Sequence, residues 1–243
     1  MIKLLLLLFT GLKLGKIGLT GGTMLLSLVV YASIWGWPYA AGFIALMFAH
    51  EMGHFMAARQ RGLAVGAPTF IPFMGAWIQL KDQPMNAETE AYVGIAGPFI
   101  GTLAAFAVYF WARSEDSTLL LAVAYSGFFL NLFNLLPVSP LDGGRITGVL
   151  SPRVWLIGAP LMLALMLYRP SPALFMVAIL ALPQLKRAWK FDPNAPENQA
   201  YYGTSAQTKF EYGVMYLGLT AVLAIMTYSV HETLGALQAA HVR

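Results

Sequence analysis

The chain has 243 residues, 58% of them hydrophobic and only 11% charged, with a formal net charge of +4 and a mean hydropathy of +0.64. A soluble domain carries about 25% charged residues, so this composition cannot cover a water-facing surface and makes lipid the solvent for much of the chain. With no cysteine, disulfides, iron–sulfur clusters and thiolate zinc sites are excluded, and no basic stripe with interleaved aromatics suggests nucleic acid.

In chain order, MIKLLLLLFTGLKLG starts like a signal peptide, with Lys3 before a leucine run. No A-x-A-type cleavage site follows, and Lys13 and Lys16 come directly after the run. Residues 1–20 therefore read as a cytoplasmic-side interfacial segment. Seven apolar segments follow, at 21–37, 39–58, 91–112, 117–136, 154–168, 172–185 and 210–230. A spanning helix needs about 20 such residues, so the fifth and sixth are short and can form one re-entrant pair. The expected fold is an all-α polytopic membrane protein with about six to seven transmembrane helices. Residues 21–185 form its main transmembrane domain, 186–209 a polar cytoplasmic linker, and 210–243 a last helix and tail. Between the second and third segments, residues 59–90 hold Pro68, Pro72 and Pro84 and a β-prone piece at 69–80. That stretch reads as a small hairpin or loop at the membrane face.

The cations give the orientation. With the N-terminus in the cytoplasm and seven crossings, only Arg113, Arg169 and Arg243 of the 15 lysines and arginines fall outside. This is the positive-inside asymmetry. The compact chain suggests a bacterial-type plasma membrane.

The second segment carries FAHEMGHFMA. An acidic group in mid-membrane costs at least ~2.5 kcal/mol and marks function by default. His50 and His54, four apart, share one helix face, and that spacing lets both imidazoles reach one zinc ion. Glu51 projects beside them, where it can act as general base. Gly53 leaves room for another helix to approach. A structural histidine pair or a proton relay is the competing reading.

Two histidines leave zinc one protein ligand short. Glu88 and Glu90 are available only in a loop preceding Ala91. Farther on, GFFLNLFNLLPVSPLDGGR runs from an apolar helix through Pro137 and Pro140 to Asp142. Asp142 lies at the cytoplasmic end of its segment, as His54 does, and is the better candidate. Asn131 and Asn134 share the face leading to it and can hold a peptide backbone or polarise a carbonyl. Taken alone, D-G-G is equally a turn and the asparagines equally interhelical glue.

HEMGH (50–54) and NLLPVSPLDGGR (134–145), with AGP at 96–98 and FIPFMGAWIQL at 70–80, resemble the site-2 protease family of intramembrane zinc metalloproteases. The resemblance covers about residues 42–152. It implies a three-helix catalytic core holding one zinc ion per chain through His50, His54 and Asp142, with Glu51 activating the water. It also implies that Asn134 positions substrate or stabilises the oxyanion. The hairpin residues Phe70, Ile71, Pro72, Phe73, Met74 and Gly75 would receive an extended substrate by strand addition. Asn131 has no counterpart in the motif and stands as a second-rank substrate contact. The chain leaves no stretch for the PDZ or CBS additions of many relatives. Substrates would be transmembrane segments of membrane proteins that unwind locally in the bilayer, as in regulated intramembrane proteolysis. The rivals are a proton-coupled transporter using the His/Glu/Asp cluster as a relay and a non-hydrolytic binding protein of the same fold. A di-iron enzyme would need more histidines than His231 and His241 add, and these two fall at the far end of the chain.

Overall fold

In a computed structural model, residues 16–72, 75–80, 84–168 and 170–241 are described. The fold is mostly helical, and all seven apolar segments of the sequence are helices. Most of the expected 1–20 segment lies outside the described residues, and what is described of it, from Lys16, continues into the first helix.

Helix α1 (Lys16–Trp35) ends at Gly36, whose φ of 85° is open to glycine at no steric cost. The chain turns there, and Pro38 starts α2 (Trp37–Gln60), where its missing N–H costs nothing. After α2, Gly62 (φ 75°) reverses the chain into β1 (Val65–Ile71), which pairs antiparallel with β2 (Gly75–Leu80). The outer edge of β1 is occupied by α1: Thr20 donates its hydroxyl to Pro68 O (2.6 Å), and the Phe70 N–H donates to Thr23 Oγ1 (3.2 Å).

Helix α3 (Ala87–Ser114) opens on Asn86, whose side chain accepts from the Thr89 N–H at 2.8 Å. Glu88 and Glu90 thus stand in the first helical turn rather than in the expected loop. The cap and the favourable field at a helix N-terminus account for the extra turn. Helix α4 (Thr118–Asn134) is capped by Ser117 and runs into a proline-bounded connection, from which α5 (Asp142–Gly148) starts. Asp142 is therefore the first residue of a short helix, not part of a bare turn. The two glycines that suggested a turn serve close packing instead. A β-carbon on Gly143 would lie 2.2 Å from Leu135 O, and one on Gly144 2.2 Å from Ser139 N.

A 3₁₀ turn (Pro152–Val154) leads into α6 (Trp155–Tyr168), which pairs with α7 (Pro172–Trp189). The polar linker contains α8 (Pro196–Tyr202), and the last helix, α9 (Ala206–His241), extends beyond the expected span at both ends. Helix α3 is central, packed on α2, α4 and α5, with α9 against α4. The main core gathers Ala91, Phe128, Leu135, Ile146, Tyr216 and Leu223 from α3, α4, α5 and α9 and the connection after α4. A second cluster packs α6 and α7 against Leu136, Val138 and Leu141 of the connection before α5. On the outside, α7 and α9 present large apolar side chains such as Leu182 and Ile225, which fits a lipid environment. By length and apolarity α3 and α9 are each able to cross a membrane.

Candidate metal centre

Helices α2 and α5 bring His50, His54 and Asp142 together, and all three are buried. The Nε2 atoms of the histidines are 3.1 Å apart, and Asp142 Oδ2 lies 3.2 Å from His50 Nε2 and 3.1 Å from His54 Nε2.

The far side of each imidazole fixes what this triangle presents. Asn131 donates its Nδ2 to Gly127 O (2.7 Å), which turns its Oδ1 toward His50 Nδ1 at 2.8 Å. His54 Nδ1 faces Val93 O at 2.7 Å. Both partners are acceptors, so each Nδ1 carries the proton and each Nε2 points a lone pair at the centre. With Asp142 Oδ2, three acceptors converge, and a shared proton can lie along only one of their contacts at a time. A metal cation satisfies all three. Zinc–ligand bonds of about 2.0–2.1 Å put tetrahedral donors roughly 3.3–3.4 Å apart, close to the observed edges. The residues fit one zinc ion, with a fourth direction left for another ligand.

Close helix contact holds the donors in place. A β-carbon on Gly53 would lie 2.3 Å from Ala96 O, so α2 rests directly on the α3 backbone. One on Gly97 would lie 2.2 Å from His54 Nε2, and one on Gly101 2.3 Å from Asn131 Oδ1. The A-G-P segment of the sequence is thus the surface against which His54 is laid.

Glu51 is buried and lines a cavity of about 720 Å³ together with His50 and Asn134. The walls are apolar, including Tyr31, Phe43, Phe133 and Leu165. Asn134 donates from Nδ2 to Leu130 O at 3.0 Å, which leaves its second N–H free for another acceptor. Asn131 is placed differently from the substrate contact expected of it. It is 1% exposed and spends both ends of its amide on His50 and Gly127. Phe70 is likewise a core residue, stacked on Phe48 with ring centroids 6.4 Å apart. Ile71 and Pro72 are half-buried, and Gly75 pairs with Ile71. Phe73 and Met74 lie outside the described residues.

Two residues of this neighbourhood, Arg145 and Tyr201, were missed in the sequence, and both engage Glu90. Arg145 NH1 lies 3.7 Å from Asp142 Oδ1, and its Nε lies 3.8 Å from Glu90 Oε1. Tyr201 of α8 donates its hydroxyl to Glu90 Oε2 at 2.7 Å. Burial, then the Glu90 carboxylate, pushes the Tyr201 phenol up, so it stays protonated and donating across neutral and mildly alkaline pH. The charge of Arg145, three residues after Asp142, was the available signal.

Residues 38–116 match the profile of Peptidase family M50, a stretch that contains His50, Glu51, His54 and the glycines of α3. Over that stretch, about a third of the chain, the sequence is similar to peptidase family M50. It is 28% identical over 155 residues to the probable zinc metalloprotease EGY1, chloroplastic, of Arabidopsis thaliana, covering 44% of this chain and 28% of that protein. It is 27% identical over 126 residues to the zinc metalloprotease MJ0392 of Methanocaldococcus jannaschii, covering 50% and 36%. It is 30% identical over 129 residues to the putative zinc metalloprotease Rip3 of Mycobacterium tuberculosis, covering 48% and 32%. The matched stretches thus span about a third of these relatives' lengths. Among solved structures, the site-2 protease from Methanocaldococcus jannaschii aligns with a TM-score of 0.45 at 22% identity, over 69% of this chain and 87% of that one.

Removal of the Asn131 amide tests its grip on His50. Second-sphere partners of ligating histidines are worth about 10–100-fold in metal affinity, so Asn131→Ala is expected to weaken zinc binding by that factor. Competition with a chromophoric chelator measures it. Unchanged affinity would remove Asn131 from the site.

Proposed function

We propose that this chain is a zinc-dependent intramembrane endopeptidase that cleaves transmembrane segments of membrane proteins. The observation that carries the reading is the position of Glu51, which lines an apolar cavity together with His50, one member of the buried triangle of metal donors. A proton relay has no need of three convergent acceptors.

In this reading His50, His54 and Asp142 hold the ion. When bound, zinc acidifies a coordinated water and polarises the scissile carbonyl. Glu51 would take a proton from the attacking water as general base while the water oxygen bonds to the scissile carbonyl carbon, and would return that proton to the amine nitrogen as general acid as the C–N bond breaks. The free N–H of Asn134 donates to the carbonyl oxygen as negative charge develops there. The apolar cavity wall receives substrate side chains and limits the entry of bulk water. A transmembrane helix hides its carbonyls in its own hydrogen bonds, so the substrate must unwind and is then an extended strand. Because α1 occupies the outer edge of β1, the edge on offer for strand addition is that of β2.

The finer topology belongs to the same proposal. Six to seven helices cross the bilayer, the N-terminus and the active site lie toward the cytoplasm, and a bacterial-type plasma membrane suits the distribution of lysine and arginine. Metal removal tests the reading. Purified protein reconstituted with a transmembrane reporter should carry one zinc ion per chain, lose cleavage on chelation and regain it with zinc. A folded chain that binds no zinc sinks the reading, as does zinc-loaded protein that leaves every unwound reporter intact.

A further inference from the structure

A second cavity, of about 590 Å³, lies apart from the metal centre among the end of α7, the 3₁₀ turn and α8. Lys186, Arg187 and Lys190 line it, with Trp155, Phe191 and Tyr202 as aromatic walls. Lys186 and Lys190 are one helical turn apart with Arg187 beside them, so three cations face one hollow. No carboxylate lines the cavity, and among the described residues none of the three cations is ion-paired. Of the nearby acids, Asp192 Oδ1 accepts from the Asn194 N–H at 2.9 Å, Glu90 is held by Arg145 and Tyr201, and Glu197 of α8 is not part of the lining. The helix dipole and the positive-inside rule both favour cations at this helix end. Neither explains why they surround a hollow with no counter-charge.

The surface leading to the cavity says what kind of anion fits. Phe175, Ile179 and Leu182 of α7 are 58%, 51% and 63% exposed and are spaced i, i+4, i+7. Lys186 continues that same stripe, and Trp189 beyond it is 78% exposed. An apolar track that ends in cations and an interfacial tryptophan matches acyl chains beneath a negatively charged headgroup. We propose that this cavity binds the phosphate of an anionic phospholipid, with its chains lying along the outer stripe of α7. The proposal rests on the membrane reading but not on the peptidase reading.

The test is native mass spectrometry of the full chain purified in detergent, titrated with phosphatidylglycerol or with phosphatidylcholine. Thermal unfolding in inorganic phosphate forms a separate arm. One phosphatidylglycerol should be retained in preference to phosphatidylcholine. The triple variant Lys186→Gln, Arg187→Gln, Lys190→Gln should bind it on the order of a hundredfold more weakly, while Lys186→Arg with Lys190→Arg keeps it. If the triple variant does not fold, Arg187→Gln alone should weaken binding by roughly fivefold. Zinc content, measured in each variant, should stay at the wild-type level, which separates loss of the lipid site from loss of the fold or of the metal centre. Equal retention of the two lipids overturns the proposal. So does unchanged affinity in the glutamine variants, or stabilisation by inorganic phosphate with no lipid retained.

Discussion

Glu51→Gln should bind zinc as wild type does and lose cleavage by about 10²–10⁴-fold, the usual contribution of a general acid–base group. The separation of the two effects follows from geometry. The donor triangle is complete without Glu51, since His50, His54 and Asp142 supply all three convergent atoms. No hydrogen bond or ion pair joins Glu51 to another of the described residues. Glutamine keeps the shape and the cavity lining but cannot take up a proton. It also removes a buried carboxylate, so thermal stability should hold or rise. Zinc per chain, turnover of a transmembrane reporter and the unfolding midpoint, measured together on both proteins, decide the matter. Full activity in the variant would remove Glu51 from the chemistry. Zinc loss in the variant would make it a ligand. His54→Ala is the contrast, expected to lose metal and activity together.

The parts of this fold that were legible in the sequence are those set by local rules. Apolar length marked the helices, and the four-residue spacing of His50 and His54 already put both rings on one face. Helix ends were less legible, because an apolar window stops at the first charge while backbone hydrogen bonding continues. Helix α3 starts at Ala87 and α7 runs to Trp189 for that reason. The seven residues of α8 show no apolar period, and α5 reads as a turn because its glycines face backbone rather than solvent. Asn131 was seen but misplaced. Three residues before Asn134 on an apolar helix, it looks the same whether it faces substrate, a neighbouring helix or a histidine. Only the crossing of α4 over α2 puts its oxygen on His50 Nδ1. The Asp142–Arg145–Glu90–Tyr201 chain joins three separate parts of the sequence, so beyond the three-residue spacing of Asp142 and Arg145 no spacing rule announces it.

The other large effect is expected from adding one methyl group. Gly97→Ala would place a β-carbon 2.2 Å from His54 Nε2, 2.4 Å from Cε1 and 2.6 Å from Cδ2, against the metal-facing edge of the ring. Side-chain rotation offers His54 little escape. Its Nδ1 is tied to Val93 O on α3, four residues before position 97. Its helix in turn is seated on α3 at Gly53, where the backbone of Ala96 leaves no space for a shift inward. Either the imidazole leaves the triangle or α2 and α3 separate. The first removes one of three protein ligands and should weaken zinc binding by a hundredfold or more. The second strains a packed interface, at a typical cost of about 1–3 kcal/mol. Gly218→Ala on α9 is the control, since nothing lies within 4 Å of the added carbon, and it should change neither zinc affinity nor the unfolding midpoint. Chelator competition and thermal unfolding read the two routes separately. Wild-type zinc affinity in Gly97→Ala would mean that α3 does not press on the ligand, and the account of how this fold aims His54 at the metal would fail.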